Sequence, residues 1–200
     1  ADQSFTSDLF KAANDRPLGD VVQSLKVING KGYIVVNNSG KIEVVNMSDF
    51  SSAGTITGLS SPRYLFPVNA TEAYVSDLYS NALTRVNLNT LRVDGSIKLN
   101  GSTEEMIAVG ETVFVTNTRT AYLYLVNSLS HQLSDSIAIG FGGNSIVADA
   151  QGRLWVMCMG DAALAQPAFL YCIDHAAKTV IKAYSLDNYL QILDKVRINT

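Results

Sequence analysis

Short apolar runs with polar residues between them, rich in β-branched and aromatic residues and bounded by Asn, Asp, Gly or Ser, recur along the whole chain. That content and those boundaries suit strands. The runs fall into four sets of four. The first set is Val22–Val27, Gly32–Asn37, Ile42–Asn46 and Gly54–Ile56; the second is Arg63–Leu65, Ala73–Asp77, Leu83–Asn87 and Gly95–Ile97. The third is Glu105–Ile107, Val113–Asn117, Leu123–Asn127 and Asp135–Ile137; the fourth is Ser145–Val147, Leu154–Cys158, Leu170–Asp174 and Thr179–Ile181. The aromatic residue of the second strand stands at Tyr33, Tyr74, Phe114 and Trp155, in steps of 41, 40 and 41. The Asn or Asp closing the third strand stands at Asn46, Asn87, Asn127 and Asp174, in steps of 41, 40 and 47, the last lengthened by extra residues around Gly160 to Pro167.

Four strands repeating every ~40–45 residues are the mark of a propeller blade. The pattern predicts an all-β fold, a β-propeller of four-stranded antiparallel blades, at about residues 20–59, 60–101, 102–142 and 143–185, with a fifth blade starting at 186–200. A β-sandwich is the competing all-β fold, but it does not repeat a four-strand unit at fixed spacing. The closing Asn or Asp has a local reason: its side chain can bond the backbone two residues on and start the turn into the outer strand. Asn38-Ser39-Gly40 reads as a hairpin connection, with Gly40 supplying the positive φ. Asp187 to Thr200 reads as a fifth innermost strand, and Phe5 to Phe10 as the outer strand of a preceding blade. Such ends expose sheet edges. The expectation is a longer natural protein or a partner chain completing the ring, with a closed four-bladed ring as the alternative.

Composition narrows the function classes. Charged residues make up 16% and the net charge is -3, which gives no basic stripe for nucleic acid. No apolar run approaches the ~18 residues of a membrane span. Cys158 and Cys172 are too few for a disulfide scaffold or a zinc site and read as buried small hydrophobes. His131 and His175 read as surface turn residues after the third strands, without a nucleophile or carboxylate pattern beside them. Asp20, Glu104 and Glu105 begin different blades and could meet on one face as a metal site; the expectation is solvated loop-end acids, and no cofactor.

Binding residues sit on loops held by a rigid scaffold. In a propeller the outer-to-inner crossovers and the turns between second and third strands converge at one end of the blades. Those loops supply the candidate ligand-binding set Arg16, Asp20, Asn38, Arg63, Tyr64, Tyr79, Asn81, Glu104, Arg119, Phe141 and Asn144. The mix of amides, hydroxyls, aromatics and both charge signs suits a neutral polar ligand held by hydrogen bonds and stacking. Asn38, with Ser39 and Gly40, is also explained by turn conformation; the bulk of Arg63, Tyr64 and Tyr79 is required by no turn.

Arg16-Pro17-Leu18-Gly19-Asp20, Tyr33 to Lys41, Gly58 to Tyr64, Ala73 to Tyr79 and Gly101 to Met106 resemble secreted YncE-like, YVTN-type propellers of gut Bacteroidetes. The resemblance runs over residues 7 to 200 and is strongest from Arg16 to Met106. It implies a seven-bladed fold in a surface lipoprotein outside the outer membrane. It also implies a non-catalytic role: capturing vitamin B12 or another corrinoid and passing it to an outer-membrane transporter. Two other classes compete. One is a glycan-binding or protein-interaction propeller, the other a lyase or lactonase-type propeller enzyme, for which His131 and His175 would be the available bases.

Overall fold

The computed structural model describes residues 7–186 and 195–198. Four four-stranded antiparallel sheets follow one another, each with its strands in sequence order. The first holds β1 (Val22–Ile28), β2 (Lys31–Val36), β3 (Lys41–Asn46) and β4 (Ser52–Ile56). The second holds β5 (Pro62–Pro67), β6 (Glu72–Asp77), β7 (Ala82–Asn87) and β8 (Arg92–Lys98). The third holds β9 (Thr103–Val109), β10 (Thr112–Asn117), β11 (Tyr122–Asn127) and β12 (Gln132–Ala138). The fourth holds β13 (Gly143–Ala148), β14 (Leu154–Cys158), β15 (Phe169–Asp174) and β16 (Thr179–Ser185). These are the four blades expected from the repeat.

The core lies between blades, because each blade buries both faces of its middle strands. Tyr33, Val35, Ile42 and Val44 of the first blade pack on Leu65, Val75 and Val86 of the second. Tyr74, Leu83 and Ile97 pack on Val113, Val115 and Tyr124 of the third. Phe114, Leu123 and Leu125 pack on Ile146, Leu154 and Val156 of the fourth. The repeated aromatic is therefore a seam residue in three blades, buried at Tyr33, Tyr74 and Phe114. Trp155 is only half-buried; it turns to the far side of the fourth blade and stacks on Tyr184 at 6.1 Å.

The closing Asn or Asp does what its chemistry predicts. Asn87 Oδ1 accepts from the amides of Asn89 and Thr90, Asn127 Oδ1 from Leu129 and Ser130, and Asp174 Oδ1 from Ala176 and Ala177. Asn46 differs: its Nδ2 donates to Ser51, whose amide bonds Asp49 instead. Each of these turns ends on a left-handed non-glycine residue, Phe50, Leu91, His131 or Lys178. At the opposite end Gly40 takes φ 58°, and a Cβ there would meet the Leu59 carbonyl oxygen at 2.8 Å.

Two expectations at the ends need revision. Phe10 lies in a helix, α1 (Leu9–Asn14), not in an outer strand. Burial of Phe10 against Ile34, Val36 and Val45 holds that helix on the outer face of the first blade. Asn14 locks it there: Nδ2 donates to the Phe10 and Phe50 carbonyls, and Oδ1 accepts the Ser52 amide at 2.6 Å. Residues 1–6 lie outside the described residues, as do 187–194, 199 and 200 of the expected fifth inner strand. Residues 195–198 carry no regular secondary structure.

Candidate functional site

The four inner strands β1, β5, β9 and β13 lie side by side, and each breaks its register near its start. The breaks leave Gln23, Arg63 with Tyr64, Glu104 with Glu105, and Asn144 as the extra residues. A β-bulge kinks a strand and re-aims its side chains. Four of the predicted site residues, Arg63, Tyr64, Glu104 and Asn144, stand at these bulges. Gln23, Tyr64 and Glu105, each 41 residues apart, line a cleft of about 490 Å³ together with Lys195.

Ion pairs lie within this cleft and beside it. Arg63 Nε donates to both oxygens of Glu104 at 2.8 and 3.1 Å, and its Nη1 donates to Gln23 Oε1. Lys195 Nζ donates to the Tyr64 hydroxyl and to Glu105 Oε1 at 2.9 Å, and lies 4.5 Å from the centre of the Tyr64 ring. Glu105 Oε2 accepts from Ser145 Oγ at 2.8 Å and from the Ile146 amide at 3.2 Å. Burial opposes the charge on Lys195, but its bonds to Tyr64 and Glu105 outweigh that and hold it above the ordinary lysine range. Asp20, Glu104 and Glu105 do not converge: Asp20 Oδ2 accepts from Asn38 Nδ2 at 3.1 Å, while the two glutamates pair with Arg63 and Lys195. Among the described residues no three His, Cys, Asp or Glu side chains are close enough to hold a metal.

At the end of the blades bearing the turns between second and third strands, buried polar residues latch the loops. Asn37 Nδ2 donates across the seam to Ser61 Oγ and the Pro62 carbonyl, both at 2.9 Å. Asp77 accepts from the amides of Ser60, Ser61, Tyr79 and Ser80. Asn117 Nδ2 donates to the Asn100 carbonyl, and its Oδ1 accepts the Arg119 amide. Tyr79 and Arg119 are thus carried on loops fixed by buried partners. Tyr79 is 67% exposed, and Asn81 Oδ1 is taken up by the Gly101 amide.

Over the seam between the third and fourth blades lies an open groove of about 450 Å³, walled by Thr118, Arg119, Phe141, Met159, Asp161 and Leu164. Its backbone is closely tied. The Gly142 amide donates to the Thr120 carbonyl, the Met159 amide to Gly142, and the Gly160 amide to Phe141. Only glycine fits at Gly160: a Cβ there would meet the Gln166 carbonyl oxygen at 2.3 Å. The extra residues of the fourth repeat form one wall. Asp161 and Gln166 exchange backbone bonds, and Asp161 Oδ1 accepts from the amides of Ala163 and Leu164 to start a short 3₁₀ turn, Ala162–Leu164. Met159 is 38% and Leu164 58% exposed, an unusual apolar pairing for a loop. Among the described residues the Arg119 guanidinium has no hydrogen-bond or ion-pair partner.

The predicted residues therefore separate. Tyr64 lines the cleft, Arg63 and Glu104 pair beside it, and Asn144 is buried at the start of β13. Arg119 and Phe141 meet in the groove, and Asp20 pairs with Asn38 on the first blade. Arg16 joins none of them. It lies on the flank of the first blade, where both its Nη groups donate to buried Glu43 at 2.7 and 2.8 Å. Burial works against the charge of Glu43, yet bonds from Arg16, Lys41 and Thr55 bring it down to about 2. Gln23, Lys195 and Leu164 were not anticipated; the step of 41 between Tyr64 and its neighbours was the available signal for Gln23.

The histidines stand in the expected turns but are packed, not free. His131 Nδ1 bonds the Tyr74 hydroxyl at 2.8 Å, and its Nε2 is 3.8 Å from Glu72. His175 meets the Phe114 ring edge-on. Each ties its blade to the one before. Cys158 and Cys172 are buried free thiols, and burial pushes Cys158 up to about 12.

Residues 1–192 match the family described as "Domain of unknown function (DUF5074)". The chain belongs to the DUF5074 family. No curated protein matches it. Solved structures similar to this DUF5074 chain include hydrazine synthase of Kuenenia stuttgartiensis, with a TM-score of 0.70 and 14% identity over 92% of this chain. The dihydro-heme d1 dehydrogenase NirN follows at 0.68, with 8% identity over 84%. The WD40 β-propeller domain of Doa1 is similar at 0.59, with 12% identity over 68%. This chain spans 51%, 38% and 47% of those three chains. At such identities the likeness is one of fold, and the fold is a propeller. Among the described residues no helix is long and apolar enough to cross a membrane.

Proposed function

We propose that this DUF5074 propeller is a ligand-binding protein of the outer-membrane surface. It captures a small nutrient in the groove over the third seam, without chemistry, for hand-over to an uptake system. One observation carries the reading. The single large departure from the repeat, the step of 47, builds one wall of the groove and leaves an unpaired arginine and exposed apolar side chains facing it. Insertions that break a regular scaffold concentrate function, and about 450 Å³ falls within the range of ligand sites. A corrinoid is the first candidate, on the resemblance to corrinoid-capturing propellers; the groove would take an edge of so large a ring. A glycan is the second, favoured by the exposed ring of Tyr79 at the same end of the blades.

Isothermal titration with cyanocobalamin and with a panel of neutral oligosaccharides tests this. Saturable binding that Phe141→Ala weakens, with the melting temperature unchanged, supports the reading. Binding that survives Phe141→Ala and Leu164→Ala but is lost in a cleft variant overturns it.

A further inference from the structure

We infer that the ligand of the groove carries an anionic group, a carboxylate or a phosphate, beside a flat apolar moiety. This rests on the groove being the binding site, and it adds the chemical class. Arginine is suited to such recognition because its planar guanidinium donates two parallel hydrogen bonds to a carboxylate or phosphate. Arg119 is an arginine of this end of the blades whose guanidinium has no hydrogen-bond or ion-pair partner among the described residues. Arg16 is spent on Glu43 and Arg63 on Glu104.

The neighbouring acid does not take that place. Asp161 turns Oδ1 to the amides of Ala163 and Leu164, and no ion pair joins it to Arg119 among the described residues. One of its two carboxylate oxygens is thereby held in its own turn. The Arg119 backbone is fixed beneath the groove, because the side chain of fully buried Asn117 accepts its amide at 2.9 Å. Phe141, Met159 and Leu164 line the same groove as Arg119, with an aromatic ring, a thioether and a branched aliphatic group. Such a surface takes the face of a planar ring, and the polarizable Met159 sulfur adapts to its edge.

Naphthalene-2-carboxylate and its neutral twin, naphthalene-2-carboxamide, separate the two halves of this claim. Both are titrated into the full chain and followed by amide and methyl NMR. The carboxylate is expected to shift Phe141, Met159 and Gly160 and to bind roughly tenfold more tightly than the carboxamide, the factor one charge-assisted hydrogen bond supplies. Arg119→Gln should bring the two to the same affinity without disturbing the rest of the spectrum; Arg119→Lys should restore part of the difference. Equal shifts from both probes in the native protein overturn the anionic class while leaving the groove as the binding site. Shifts confined to Met106 and Leu65, with the groove silent, overturn the site itself.

Discussion

The cleft along the inner strands and the groove over the third seam are of similar size, about 490 and 450 Å³, and both hold arginine, acid and aromatic residues. They differ in what those residues are doing. Beside the cleft Arg63 is bound by Glu104 and Gln23, and within it Lys195 is bound by Glu105 and Tyr64. In the groove the backbone is locked while the Arg119 guanidinium is left open. A ligand entering the cleft must replace bonds already made, and an unpaired buried charge is costly. One entering the groove meets groups that are already in place and lack partners. Concavity alone therefore does not mark the site; the state of the polar groups lining it does.

Five substitutions sharpen that contrast. The largest effect belongs to the scaffold: Tyr74→Ala, a fully buried seam residue, should cost about 3–5 kcal/mol in denaturant unfolding. Trp155→Ala should cost clearly less, because that ring faces the far side of the fourth blade. Next comes the cleft. Glu105→Ala leaves Lys195 without its carboxylate and should lower stability by about 1–3 kcal/mol, with ligand affinity little changed. Gly160→Ala should distort the groove through its contact with Gln166, reducing affinity more than stability. The smallest stability change belongs to Arg119→Gln, within about 0.5 kcal/mol; equal unfolding losses in Arg119→Gln and Glu105→Ala would erase the distinction drawn here.

Glu43 sets an acid limit that is independent of both concavities. Its folded value of about 2 lies below its ordinary 4.5, so its contribution is complete above pH ~4.5 and is lost as pH falls toward ~2. The native protein should lose stability across that window, and Glu43→Gln should flatten the profile. An unchanged profile in the variant would show that Arg16 and Lys41 do not hold the flank of the first blade through this carboxylate.

The blades were legible because the aromatic of the second strand and the closing Asn or Asp of the third recur at nearly fixed spacing, the first set by packing at the seams and the second by local turn chemistry. Helix α1 was not, since Phe10 is apolar in either conformation and only the distant Asn14 contacts to Phe50 and Ser52 decide it. The candidate site was legible by loop but not by pairing. Arg16, Arg63 and Arg119 look alike in sequence, and their partners are 27 and 41 residues away or absent. Lys195 reaches Tyr64 across 131 residues, a contact no local pattern announces.

The most direct test of the claim that the groove, and not the cleft, receives ligand uses two of the four methionines. Met159 lines the groove and Met106 the cleft. With methyl-labelled methionine, titration of cyanocobalamin or the naphthalene carboxylate should move the Met159 methyl signal and leave Met106 in place. Movement of Met106 with Met159 still would contradict the account.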